Sequence, residues 1–159
     1  MKVPDKIVWY SPLNTLPVSR KQATPPLLIV APYWAHPSTK ITVKQAITAD
    51  DNQWVYTGLS IPDGTGIKGL IVHYQTQGVP MTSTGIRHVR LTEVTAPTSN
   101  TPKNFVDVST DLASSSPVKY ITHFSTKKVA GALSLQLQMV FSGSSADLIL
   151  LGAIGVIIE

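Results

Sequence analysis

Histidines, carboxylates and serines bound what chemistry this chain can do, and their spacing supports little of it. The histidines are His36, His73, His88 and His123. None stands in an H-x-H, H-x-x-x-H or H-E-x-x-H spacing, so no metal site is written locally. His73, His88 and His123 fall on expected strands and could meet only across a sheet. Three separate packing or surface histidines are the simpler reading. Glycosidase chemistry needs two carboxylates facing one bond. Among the acids only Asp50 and Asp51 are adjacent, in a turn-like Asp50-Asp51-Asn52 stretch. That trio offers oxygen ligands for Ca²⁺ but not the D-x-D-x-D-G spacing of a calcium loop.

Serine and phosphate chemistry fare no better. Gly143-Ser144-Ser145-Ala146-Asp147 is not a G-x-S-x-G elbow, and it reads as a turn. No G-x-x-x-x-G-K-S/T or G-x-G-x-x-G loop is present. No catalytic residue, metal ligand or cofactor is therefore assigned, and an enzyme is not expected. Aromatic residues offer more. Trp9/Tyr10, Tyr33/Trp34 and Trp54/Tyr56 come in pairs. Such pairs stack sugars on a sheet face, and they also favour protein interfaces. Trp54 and Tyr56 are placed as the candidate ligand platform. Trp9, Tyr33 and Trp34 are placed at an interface.

Composition says what must position these groups. Charged residues make up 14% of the chain, against about 25% in average soluble domains. Glutamate occurs only at Glu93 and Glu159, while Thr, Val, Ile and Ser abound. Helix surfaces lack their usual residues, and pleated, half-buried surfaces have theirs. The absence of cysteine removes disulfides and thiolate chemistry and leaves the compartment open. A formal net charge of +4 is spread thinly, with no dense basic stripe, so nucleic acid is not an expected partner. The first residues show no apolar targeting core. The longest apolar run, Leu148–Ile158, is short of the ~20 residues a helical span needs.

The 159 residues fit one domain with a proline-rich beginning. Residues 1–37 carry Pro4, Pro12, Pro17, Pro25, Pro26, Pro32 and Pro37, which bars a central strand or long helix. An extended arm over 1–37 and a β-sandwich over 38–159 are expected. The arm either packs across its own sandwich as edge strands or reaches a neighbouring subunit. From Ile41 the pattern gives about eight strands: 41–47, 54–59, 67–76, 86–94, 105–109, 118–126, 131–142 and 148–158. Pro62-Asp63-Gly64 marks a tight turn. Leu133, Leu135, Leu137, Met139 and Phe141 alternate with polar residues, as in a half-buried strand. The fold class expected is all-β, a jelly-roll-like antiparallel sandwich, with an immunoglobulin-like sandwich as the nearest rival.

Leu148–Ile158 is apolar on both faces and asks for cover on both sides. The motif Gly131-Ala132-Leu133 with Leu135 and Leu137, a polar turn, then Leu150-Leu151-Gly152-Ala153-Ile154-Gly155 resembles the ends of trimeric jelly-roll heads, the C1q/TNF-like domains and some phage-fibre tips. That resemblance implies a homotrimer with the last strands at the three-fold axis. Ile61-Pro62-Asp63-Gly64, Arg90-Leu91-Thr92-Glu93 and Leu151-Gly152-Ala153-Ile154 also resemble a group of short bacterial β-sandwich proteins, which carries no functional residues across. The leading expectation is a non-enzymatic protein that self-associates through Leu148, Leu150, Ile154, Val156 and Ile158 with Trp9, Tyr33 and Trp34. A viral or phage-type shell or fibre protein is the first alternative. A glycan-binding β-sandwich module is the second.

Overall fold

The computed structural model describes residues 5–18, 27–30, 41–45, 53–78, 84–95, 103–142 and 147–159. Among them are eleven strands: β1 (Lys6–Tyr10), β2 (Thr15–Val18), β3 (Leu27–Val30), β4 (Ile41–Gln45), β5 (Gln53–Leu59), β6 (Gly66–Gln77), β7 (Gly85–Val94), β8 (Lys103–Leu112), β9 (Val118–Lys128), β10 (Ala132–Val140) and β11 (Leu148–Ile158). A six-stranded sheet runs β3-β4-β11-β6-β9, with β1 also on β11. A five-stranded sheet runs β2-β5-β10-β7-β8. All pairings are antiparallel. From β4 onward, the strands fall in the order 4-11-6-9 in one sheet and 5-10-7-8 in the other, the jelly-roll arrangement. The eight strands counted from Ile41 are these eight.

The parts of residues 1–37 that are described lie on the chain's own sheets. β1 pairs with the second half of β11, from Lys6 opposite Ile158 to Tyr10 opposite Ile154. β2 is an edge strand on β5, a place where Pro17 removes no internal ladder bond. Between them, the Ser11 side chain accepts from the Leu13 amide and caps a single turn at Pro12–Asn14. Tyr33 and Trp34 lie outside the described residues, as do Asp50 and Asp51.

The core fills the space between the sheets. Leu133, Leu135, Leu137, Met139 and Phe141 all point into it, as their alternation requires. Leu70, Val72 and Tyr74 face them from β6. The turn at Pro62–Gly64 forms with Gly64 at φ +81°, which suits glycine, and the Thr65 amide donates to the Pro62 carbonyl at 3.2 Å.

Bulges shift the alternation, and three of them set the faces of β6, β7 and β11. In β6, Lys68 is an extra residue against β11, so Ile67 joins Leu70 in the core instead of facing out with His73. In β7, Arg87 is the extra residue against β10, so Ile86 fills the core position that strict alternation with Val89 and Leu91 would give to Arg87. Arg87 pairs instead with Asp111 at the surface. In β11, Gly152 and Ala153 together oppose His73. The phase therefore flips: Ile149 and Leu151 face inward before the bulge, and Ile154, Val156 and Ile158 after it.

That flip explains the two-faced appearance of the last strand. Leu148, Leu150, Ile154, Val156 and Ile158 would form one face of an unbroken strand. The bulge divides them. Ile154, Val156 and Ile158 lie in the core of the single chain, while Leu148 and Leu150 are half-buried on the outer face. The excess apolar surface that suggested a shared axis is covered within one chain, so a trimer finds no support in this strand.

Glu93 is a buried charge with defined partners. It is 2% exposed, accepts from the Lys103 ammonium at 2.9 Å, and accepts from the Ala130 amide. Burial pushes its pKa up, but the hydrogen bonds from Ala130 and Lys103 outweigh burial and hold it below the ordinary 4.5. A carboxylate depressed in the folded state adds stability above its unfolded pKa and loses it as pH falls through the folded one. Urea midpoints measured downward from pH 5 are expected to fall, and to fall less steeply in Glu93→Gln. At neutral pH, Glu93→Gln is expected to cost about 1–3 kcal/mol by leaving an imperfect buried acceptor.

Candidate functional site

The outer face of the six-stranded sheet carries the most site-like geometry. Because Leu70, Val72 and Tyr74 of β6 turn inward, Ile71, His73 and Gln75 turn outward. Pairing places Lys119 of β9 opposite His73, and Leu150 of β11 opposite Gln75. It also places Ile121 opposite Ile71, and Trp9 of β1 opposite Gly155. His73, Gln75, Val118, Lys119, Leu150 and Gly152 line a concavity of about 780 Å³.

Two glycines set the shape of this face. At Gly152, in the bulge, a Cβ would stand 3.0 Å from the His73 Cβ, so glycine lets the two strands close over the concavity's floor. At Gly155 a Cβ would stand 2.8 Å from Cζ3 of Trp9 and 3.1 Å from Ile7. The indole is thus seated on a bare backbone. Trp9 is 50% exposed, and its ring meets His73 edge-on with centroids 5.5 Å apart. Gly155→Ala is expected to lift the indole off its seat. The check is a red-shifted tryptophan emission and a faster-quenched fluorophore, with the β-sheet circular dichroism unchanged.

The wall beside the concavity is fixed by hydrogen bonds. Gln75 Nε2 donates to the Ser115 carbonyl at 2.7 Å, leaving its Oε1 as an acceptor. The Thr76 amide donates to the Ser114 carbonyl at 2.7 Å, and Ser114 Oγ donates to Ser116. The turn preceding Pro117 is therefore clamped to β6. Among the described residues, Lys119 pairs with no carboxylate.

The outer face of the five-stranded sheet holds the aromatic pair singled out from sequence. Trp54 and Tyr56 sit opposite Gln138 and Gln136 of β10, which in turn oppose His88 and Arg90 of β7. Trp54 is 9% exposed. The Arg90 guanidinium lies 5.2 Å over its ring, and the His88 ring lies 5.5 Å away. Both side chains are tied down by Asp107, which accepts from His88 and from Asn104 Nδ2 and pairs with Arg90 Nε at 3.2 Å. Burial pushes the Asp107 carboxyl up, but His88 and Arg90 outweigh it and hold it low. Trp54 is thus a cation–π floor beneath Arg90 with little open ring, and Tyr56 is half-buried beside it.

The two outer faces separate residues that sequence left free to meet. His73 and His123 belong to the six-stranded sheet and His88 to the five-stranded one, so the three histidines do not converge. Among the described residues no three His, Asp or Glu side chains are placed to hold a metal ion. No helix there is long and apolar enough to cross a membrane. The sequence placed Trp9 at an interface and offered His73 only as a metal or packing histidine; Gln75, Lys119 and the glycines beneath them were not singled out. The available signal was the polar outward set in Gly66–Gln77 facing a glycine-broken apolar strand.

No family model matches the chain, and no curated protein matches it. Solved structures share its fold. A xylan-binding module, CBM15, matches over 98% of this chain and 98% of its own, with a TM-score of 0.59 and 6% identity. The CBM22-1–GH10 modules of Clostridium thermocellum xylanase 10B, complexed with xylohexaose, match over 92% of this chain with a TM-score of 0.56 and 11% identity. This chain spans 26% of that one. A CBM4 structure matches over 76% of this chain and 71% of its own, with a TM-score of 0.51 and 8% identity. Where the sequence resemblance pointed to trimeric heads and fibre tips, these neighbours are carbohydrate-binding modules, and the likeness is one of fold.

Proposed function

We propose that this chain is a non-catalytic glycan-binding module, with its site on the outer face of the six-stranded sheet around Trp9. The observation that carries this reading is the seating of Trp9. A half-exposed indole rests on Gly155, meets His73, and stands beside a concavity with fixed polar groups. A rigid aromatic plane next to hydrogen-bonding groups suits a sugar, whose ring has one apolar face and a polar rim. The fold-level neighbours named as xylan-binding or complexed with xylohexaose support the same class. No carboxylate occurs among the described residues lining the concavity, so the acid pair of a glycosidase has no counterpart there.

The test is co-sedimentation with insoluble polysaccharides, followed by calorimetry on soluble oligosaccharides. Saturable binding to at least one polysaccharide, without release of reducing ends, is expected. A chain that binds none across a broad panel of plant, fungal and bacterial glycans refutes the reading.

A further inference from the structure

We infer that the ligand of this face is an acidic glycan, a chain bearing uronate carboxylates, with one carboxylate received by Lys119; this rests on the glycan-binding reading above. Every described acid in an ion pair has a basic partner away from this concavity. Asp5 pairs with Lys68, Glu93 with Lys103, Asp107 with His88 and Arg90, and Asp111 with Arg87. Lys127 is directed to the carbonyls of Asn104 and Phe105. Lys119 has no such partner among the described residues, and it lines the concavity.

Position makes this lysine more than a solvated surface charge. It stands directly opposite His73 across the β6–β9 pair, so two nitrogen-bearing side chains share one row of the sheet. Leu150 and Gln75 form the next row, and the clamped Ser114–Ser116 turn stands behind it. The described lining residues bring one ammonium and one imidazole, and no carboxylate to repel an anion. A sugar held against Trp9 places its neighbours over His73, whose ring touches both the indole and the concavity. A carboxylate on such a neighbour meets the Lys119 ammonium at the wall, and a charge-assisted bond there is stronger than a neutral one.

The experiment compares acidic polysaccharides with their carboxyl-reduced counterparts: glucuronate-bearing xylan, polygalacturonate and alginate, each in native and reduced form. Affinity is measured by calorimetry at low and high salt. At least one acidic polymer is expected to bind about tenfold tighter than its reduced form. That preference is expected to vanish in Lys119→Gln, to survive in Lys119→Arg, and to shrink with salt. Lys128→Gln, an exposed lysine at the far end of β9, is expected to leave it intact. Equal binding of native and reduced forms overturns the inference while the glycan-binding reading stands. A preference lost equally in Lys128→Gln assigns it to net charge and also overturns the inference. Binding to no polysaccharide overturns both.

Discussion

Ile154→Asp is expected to leave the chain unfolded at 25 °C. Ile154 is 1% exposed, lies in the core cluster, and stands between Tyr10 of β1 and Val72 of β6. Replacing it forfeits about 1.5–3 kcal/mol of side-chain burial. It also forces a carboxyl group without a partner into apolar surroundings, at a further cost of several kcal/mol. Together these approach the roughly 5–15 kcal/mol that holds a domain folded. Ile154→Val keeps the branched shape and is expected to cost only about 0.5–1.5 kcal/mol. Circular dichroism and urea titration of the two variants check this. An Ile154→Asp variant that melts within a few degrees of the parent would mean that β11 does not face the core after its bulge.

Trp9→Ala is expected to remove glycan binding while leaving the fold nearly untouched. Half of the indole is already in water, and beneath it lies backbone at Gly155. Its loss opens no cavity in the core, and a change of no more than about 1 kcal/mol in stability is expected. Exposed tryptophans that anchor a binding surface typically contribute 2 kcal/mol or more. An affinity loss of at least about thirtyfold follows from that figure. Trp9→Phe keeps a smaller aromatic plane and is expected to retain part of the affinity. The contrast separates this site from the opposite face. Trp54→Ala removes the floor under Arg90 and is expected to lower stability, with a smaller effect on affinity.

Much of the fold was legible because it rests on local alternation. Leu133 to Phe141 declared their inward face, and Pro62-Asp63-Gly64 declared its turn. The strand Leu148–Ile158 was bounded at the residues observed. Register was not legible. A bulge is one inserted residue with no fixed composition, and it reverses every side chain beyond it. That is why Arg87 and Ile67 sit on faces opposite to those their parity implies. It is also why an apolar strand looked like an interface, when Gly152 and Ala153 had turned Ile154, Val156 and Ile158 inward.

The site was legible in part for a related reason. Aromatic pairs can be seen in sequence, but their exposure depends on which strands lie alongside. Trp54 was covered by Arg90 and His88 from β7, more than thirty residues away in the chain. Trp9 was left open because its neighbour across the pair is a glycine. The concavity joins residues from β6, β9 and β11, a combination set by jelly-roll order and not by any local motif.

Oxidative footprinting of tryptophan, read by mass spectrometry with and without saturating polysaccharide, tests the proposed face most directly. In the free protein Trp9 is expected to oxidise readily and Trp54 slowly. Bound glycan is expected to protect Trp9 severalfold and leave Trp54 as it was. Trp9 oxidising at the same rate in the free and the glycan-saturated protein would contradict the placement of the site on the six-stranded sheet.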